Sequence, residues 1–341
     1  MAHPYPVPET RCRPEPAVVR QVKPREGKMM SPMKVLVVGS MNADFTIKVP
    51  DFPQPGETVT GNEMLIASGG KSSNQAAAAA LLGAEVILVG AVGSDYLGSK
   101  LVSDAAARGV DVSRVRHSYT EATGTALVAV NADGENTIIV ASGANAGLST
   151  GDVQDKDLED APVVVMALEI PMSTVVSVAE RASEAGARVL LNASPTQDLP
   201  GPLLQHVDVL VVNEGELAQL LGDHPLPPSW EQRAERLQNL GVRSAVVTLG
   251  AKGSIVLDNT AGGPTVTHID AVPVEVKDTT GSGDAFLGAV AAELAAGLSL
   301  QEAARTGALA GAWAARSQGA QTSYGTRAEI ETLAPTLGAR T

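Results

Sequence analysis

Residues 162–192 read PVVVMALEIPMSTVVSVAERASEAGARVLLN. The run at 162–168 is rich in Val and lacks strict alternation, as expected of a strand covered on both faces. Residues 172–185 carry a helical pattern, and 188–192 (RVLLN) repeat the apolar run. Strand, helix and strand follow one another within a single short stretch. The same alternation extends outward from it. Apolar runs recur at 34–39 (KVLVVG), 85–91 (EVILVGA), 207–212 (VDVLVV) and 244–248 (SAVVT). Helical patterns fall between them at 74–83, 95–108, 214–222 and 229–240, and the C-terminal third continues as helices at 283–297, 300–317 and about 326–334. This rhythm predicts an α/β fold, a doubly wound and mostly parallel sheet flanked by helices.

Two segments break the rhythm. Residues 44–68 and about 120–141 have the character of β-hairpins, with turn signals at Pro55-Gly56 and Ala132-Asp133-Gly134. Both leave the α/β body and return to it, which predicts a small β-sheet lid over one end of the main sheet. Such a lid would close on a substrate and exclude water; two ordinary surface hairpins are the alternative.

The 341 residues are 44% hydrophobic and 18% charged, enough apolar content for a core and too much for a disordered or fibrous chain. Lys and Arg number 25 against 38 Asp and Glu, a net charge of −13. An acidic chain has no general electrostatic attraction for nucleic acid or an anionic membrane, so neither is expected as a partner. The one cysteine, Cys12, excludes an intrachain disulfide framework and a Cys-built zinc site. No run approaches the ~20 apolar residues of a membrane span, and a reducing cytoplasm is the expected compartment. Residues 1–32 hold seven prolines and no periodic apolar pattern. They read as a disordered tail ahead of a domain at 33–335.

The chemistry concentrates at glycine turns that precede helices. In Asp278-Thr279-Thr280-Gly281-Ser282-Gly283-Asp284 the strand-like stretch AVPVEV (271–276) leads into a turn, and a helix opens after it. Gly281, Ser282 and Gly283 let an anion approach the unpaired N–H groups of a helix start. Asp284 sits in that first turn, placed to accept a hydroxyl proton while the amides stabilise a moving phosphoryl group. The alternative is an ordinary helix-start Asp beside a tight turn. Ser68-Gly69-Gly70-Lys71-Ser72-Ser73-Asn74-Gln75 imitates the end of a P-loop, but Leu65 stands where that motif needs its first glycine. What remains suits a polyhydroxylated substrate, or equally a capped helix start. Gly39-Ser40-Met41-Asn42-Ala43-Asp44 follows the first strand, where ligands bind in open α/β sheets. Asn42 and Asp44 suit sugar hydroxyls, and an Asx turn is the alternative. Glu169 follows the strand at 162–168. Asn213 and Glu216 stand three apart at a helix start, where they would face one another near Mg²⁺-bound waters. Thr248-Leu249-Gly250-Ala251-Lys252-Gly253 forms a glycine turn suited to passing beneath a nucleotide.

On DTTGSGDAFLGAVA (278–291) and GGKSSNQAAAAALLG (69–83) the chain resembles the phosphofructokinase-B type, or ribokinase-like, family of carbohydrate kinases over nearly all of residues 33–325. The resemblance implies transfer of the ATP γ-phosphate to the 5-hydroxyl of ribose, with ATP, Mg²⁺ and K⁺ required. By it, Asp284 is the base and Gly281, Ser282 and Gly283 form the anion hole. Asn42, Ala43, Asp44, Gly70, Lys71, Ser72, Ser73, Asn74 and Glu169 surround the sugar. Asn213, the turn Thr248 to Gly253 and Gly283 line the nucleotide, and Glu216 organises Mg²⁺ through water. A monovalent-cation site falls on Asp278, Thr280, Ala314, Ser317, Gly319 and Ser323. Family members usually have Gly and Ala where this chain has Ser72 and Ser73, so two hydroxymethyl groups are expected beside the sugar. Ala308 stands where a His near the adenine is common. Other acceptors in the same class are deoxyribose, fructose, 2-keto-3-deoxygluconate and adenosine. A non-catalytic sugar or nucleotide sensor would be expected to lose Asp284 or the glycine turn, and both are intact. The exposed edge of a small lid sheet would pair with a second copy, which predicts a homodimer.

Overall fold

Val35 and Val37 point into one apolar cluster, while Leu36 and Val38 point into another. A strand buried on both faces produces that split, and here it is β1 (Lys34–Val38). The computed structural model describes residues 33–222, 225–259 and 264–336. The disordered tail expected at 1–32 lies outside the described residues. In chain order β1 is followed by β2 (Asn42–Lys48), β3 (Met64–Gly69), α1 (Lys71–Leu81), β4 (Glu85–Gly93), α2 (Tyr96–Ala107) and β5 (Val110–Ser118). Next come β6 (Gly124–Val130), β7 (Asn136–Ala141), α3 (Asp155–Asp160), β8 (Val163–Ala167), α4 (Met172–Glu184) and β9 (Arg188–Asn192). The chain continues through α5 (Gly201–Gln205), β10 (Val209–Asn213), α6 (Glu214–Leu221), α7 (Trp230–Asn239), β11 (Ser244–Thr248), β12 (Ser254–Asp258) and β13 (Thr265–Ile269). It closes with α8 (Ser282–Ala295), α9 (Leu300–Ala314) and α10 (Arg327–Glu331).

The large sheet runs β13-β12-β11-β10-β9-β8-β1-β4-β5. From β11 to β5 every pairing is parallel, and β12 and β13 add an antiparallel edge. The chain moves outward from β1 to β4 and β5, returns to β8 beside β1, and then moves out the other way. The order therefore reverses between β1 and β8, and in such sheets ligands bind at the carboxyl ends of strands at that point. Helices α1, α2, α8 and α9 cover one face and α3 to α7 the other. α8 is buried along Ala285 to Leu294, as befits a helix that is apolar all round. Its Gly288 admits α1 closely, since a Cβ there would lie 2.6 Å from both Ala78 Cβ and the Gln75 carbonyl.

A separate four-stranded sheet has the order β3-β2-β6-β7, with β2 and β6 parallel and the outer pairs antiparallel. It arises from the two expected excursions, with one shift of boundary. β2 begins at Asn42, so Asn42 and Asp44 lie on a strand and the Asx-turn alternative does not hold. AVPVEV is a second correction, because residues 271–276 form no strand. Val272 and Val274 do turn inward, but the segment finds no strand partner, and Pro273 removes a ladder donor. No helix among the described residues is long and apolar enough to cross a membrane.

Candidate active site

Gly281 precedes α8 at φ +73°, where a Cβ would lie 2.6 Å from the Tyr324 hydroxyl and 2.7 Å from Ala320 Cβ. Only glycine holds that turn without strain. The Ser282 N–H donates to the Thr279 carbonyl, and the Ala285 N–H to that of Gly281. Between them the N–H groups of Gly283 and Asp284 take no carbonyl among the described residues, and space around Gly283 is open. Of the N–H groups anticipated over 281–283, that of Ser282 is spent on the preceding turn, while that of Gly283 is open and is joined by that of Asp284. The two free donors and the helix dipole favour an anion there.

Asp284 shares this first turn, and α1 packs alongside. Asn74 Nδ2 donates to Asp284 Oδ2 at 3.0 Å and Gln75 Nε2 to Oδ1 at 2.9 Å. Gln75 also donates to Asn192 Oδ1 at 3.2 Å. Glu169, just past β8, accepts from the Lys71 N–H at 2.9 Å and from the Ser40 hydroxyl. Asn42 Oδ1 accepts from Asn145 Nδ2 at 2.7 Å, and Asn145 is itself anchored by the Met41 N–H and carbonyl. Asp44 occupies the space that a Cβ on Gly69 would need, 2.0 Å from its Oδ2. Gly70, at φ +89°, brings the chain against the backbone of Ser40 to Asn42. A cavity of about 410 Å³ is lined by Asn42, Asn145, Glu169, Leu168, Val140 and Gln197 among others.

The electrostatics follow from this crowding. Burial pushes the Asp44 carboxyl up to about 7, helped by Glu169 and Asp284 and opposed by Lys71. Burial also raises Asp284, against the pull of Lys71, Asn74 and Gln75. Asp44 and Asp284 therefore both face the Lys71 ammonium from a buried setting that favours their neutral forms. The Tyr324 phenol is held well above its ordinary range by burial and by Asp284, so it stays neutral and donates to the Gly281 carbonyl at 3.1 Å.

The remaining expected residues divide. Ser72 and Ser73 turn inward, away from the cavity. Ser72 Oγ is buried without a partner among the described residues and packs against Gly39, while Ser73 Oγ accepts from Gln321 Nε2 at 3.1 Å. Ala43 is buried in β2, paired with Ser68 and Thr125. Asn213 and Glu216 do face one another, as a reciprocal capping box at the start of α6 with both bonds at 2.8 Å. Thr248 ends β11, and Leu249 to Gly253 make the turn into β12. Gly250, Ala251 and Lys252 are exposed there, and a Cβ on Gly253 would lie 2.0 Å from the Ile269 carbonyl. Asp278 gathers the Thr280 N–H and hydroxyl on Oδ1 and the Gly319 N–H on Oδ2. Burial raises its carboxyl, but these bonds outweigh burial and hold it below the usual range. Ala314 ends α9 and Ser317 and Ser323 lie on the loop that follows, with Gly319; the Ser323 hydroxyl donates to the Ala320 carbonyl and the Ala314 carbonyl accepts from the Ser317 N–H. Among the described residues no three His, Cys, Asp or Glu side chains are grouped to hold a metal ion.

Sequence reasoning gave no role to Gln75, Asn145, Asn192, Gln321 or Tyr324. Gln75 carried a signal, a large amide inside an alanine-rich helix that is 1% exposed. The others are single polar residues that only the fold brings to the site.

Fold and site together define a kinase class. The chain belongs to the pfkB family of carbohydrate kinases, whose sequence profile matches residues 33–327, and it is an enzyme of that family. It is 38% identical over 299 residues to a ribokinase of Haemophilus influenzae, covering 86% of this chain and 95% of that one. Among solved structures it resembles ribokinase from Thermotoga maritima with a TM-score of 0.81 and 31% identity, over 88% of this chain and 99% of that one. Ribokinase of Arabidopsis thaliana, complexed with ribose and ATP, gives a TM-score of 0.80 and 33% identity over 89% and 99% of the two chains.

Proposed function

We propose that the protein phosphorylates ribose on its 5-hydroxyl with ATP, in the cytoplasm. The observation that carries this reading is the single turn in which Asp284 stands beside the unbonded N–H groups of Gly283 and its own backbone. The sugar hydroxyl gives its proton to the Asp284 carboxylate as its oxygen attacks the γ-phosphorus in line. The bond to the β-phosphate bridging oxygen breaks, and ADP leaves. The two N–H groups stabilise negative charge on the moving phosphoryl group. Asn42, Asp44, Lys71, Asn74 and Glu169 orient the sugar, with Gly70 giving close backbone approach. Asn213 and the turn from Thr248 to Gly253 line the nucleotide, whose phosphates reach Gly283.

Two metal ions fit the residues present. Glu216 has one carboxylate oxygen outside its capping bond, suited to waters on Mg²⁺, whose charge would neutralise the ATP phosphates. Asp278, Thr280, Ala314, Ser317, Gly319 and Ser323 offer only hard oxygen donors, the set a monovalent cation such as K⁺ takes. K⁺ there would add positive charge beside the N–H cradle of this acidic chain.

The sheet of β2, β3, β6 and β7 is the lid of a single kinase domain over 33–335. Met64, Leu65, Ile66, Ile138 and Ile139 are 42–64% exposed on its two faces, and a second copy would cover the face turned from the cavity in a homodimer.

ATP turnover with ribose, deoxyribose, fructose, 2-keto-3-deoxygluconate and adenosine, each in K⁺ and in Na⁺, tests the reading. It expects the highest kcat/KM on ribose, with ribose 5-phosphate as product and faster turnover in K⁺. A higher kcat/KM on another acceptor overturns ribose, and equal rates in the two salts overturn the cation site.

A further inference from the structure

Gln321 lies on the C-terminal loop between Gly319 and Ser323, 4% exposed, and its side chain reaches the first turn of α1. Nε2 donates to Asn74 Oδ1 at 3.0 Å and to Ser73 Oγ at 3.1 Å, so both amide hydrogens are used. Asn74 and Ser73 are also buried, at 6% and 2% exposure. With its oxygen held by Gln321, Asn74 turns its Nδ2 to Asp284 Oδ2 at 3.0 Å. The reverse orientation would set Asn74 Oδ1 against a carboxylate oxygen and Nδ2 against another NH₂ group, two repulsive contacts. Gln321 Oε1 is left buried with no partner among the described residues. The amide is thus committed to donating, at the cost of an unsatisfied oxygen.

We infer that Gln321 is a positioning residue for phosphoryl transfer: with one amide hydrogen on Asn74 Oδ1 and the other anchored on the Ser73 hydroxyl, it holds the Asn74 amide with its Nδ2 toward Asp284. The inference rests on Asp284 serving as the base. It gives Ser73, which departs from the alanine usual in the family, a role away from the sugar. The chain of contacts runs Ser73 to Gln321 to Asn74 to Asp284, and it joins the loop whose Gly319 N–H holds Asp278 to the reacting centre. A base whose hydrogen-bond donor is fixed in advance needs no reorganisation when the hydroxyl proton arrives.

The test is a double-mutant cycle on the full chain, with steady-state kinetics on ribose and ATP and a thermal melt of each variant. Gln321→Ala is expected to lower kcat about tenfold, the kinetic equivalent of one hydrogen bond, with the KM for ATP within about twofold of the parent. Combined with Asn74→Ala, it should add no further loss beyond that of Asn74→Ala alone. Gln321→Glu keeps the size but accepts instead of donating, so it demands Nδ2 from Asn74 and should be slower than Gln321→Ala. Multiplicative losses in the cycle, parental kcat in a folded Gln321→Ala, or Gln321→Glu as fast as Gln321→Ala each overturn the inference. Should Gln321→Ala fail to fold, the same cycle is run from Ser73→Ala, expected to lose about two- to threefold in kcat alone and nothing further beside Asn74→Ala; parental kcat in Ser73→Ala or a multiplicative loss then overturns it. Asp284→Asn separates the two levels. If that variant keeps turnover, the base assignment itself fails; if it is inactive while the cycle is multiplicative, only the role of Gln321 is lost.

Discussion

Gln75 Nε2 lies 2.9 Å from Asp284 Oδ1 and 3.2 Å from Asn192 Oδ1, so one buried amide joins the start of α8 to the end of β9. Burial already raises the Asp284 carboxyl, with Glu169 adding to it, while Lys71, Asn74 and Gln75 pull it down. Removing the Gln75 donor in Gln75→Met leaves burial less opposed and raises the pKa further. A base must be ionised to act, so the acidic limb of the kcat profile should move to higher pH. A profile measured between about pH 5 and 9 with its acidic limb unmoved would contradict this account of the carboxylate.

Asp44 gives a stability prediction whose sign follows from linkage. Its folded pKa of about 7 stands above the ordinary 3.8, chiefly through burial and then through Glu169 and Asp284. A group raised on folding contributes stability that is fully present below the unfolded pKa and is lost as pH rises through the folded one. Above about pH 7 the unliganded protein therefore carries a destabilising charge. Asp44→Asn should raise Tm at pH 8 by a few degrees, at about 2–4 °C per kcal/mol, with the gain shrinking toward pH 4 and ribose affinity falling. A lower Tm than the parent at pH 8 would reverse the sign and refute it.

Gly288 holds α1 and α8 together by having no side chain. A Cβ at that position would meet Ala78 Cβ and the Gln75 carbonyl at 2.6 Å, and neither neighbour is a flexible side-chain end. Gly288→Ala should cost about 1–3 kcal/mol in urea unfolding, the range for overpacking a filled interior. It should also lower kcat, because the displaced turn carries Gln75. Stability equal to the parent would show that the helices have room to separate.

The parts of this molecule that could be read in sequence are those whose signal is local. Strands such as β8 (VVVMA) are buried on both faces, and an unbroken apolar run announces that directly. β5 (VDVSRVRHS) escaped because it is a sheet edge on which Asp111, Arg114 and Arg116 interrupt the pattern. Val272 and Val274 misled in the opposite direction, since alternate burial without a neighbouring backbone makes no strand. At the site, Gly281 to Asp284 and Gly70 to Asn74 stood out because a glycine turn before a helix is a contiguous feature. That the two turns meet, with Asn74 on Asp284, is a property of the fold. Asn145 and Gln321 had no such signal. Each is one amide whose partners lie 103 and 247 residues away.

The central claim is that the Asp284 carboxylate removes the proton from a sugar hydroxyl, and one variant tests it most directly. Asp284→Asn keeps the side chain's size and removes its capacity as a base. Ribose binding measured by calorimetry should survive, while kcat should fall by about 10²–10⁴-fold. Near-parental turnover in a variant that still binds ribose would contradict the account.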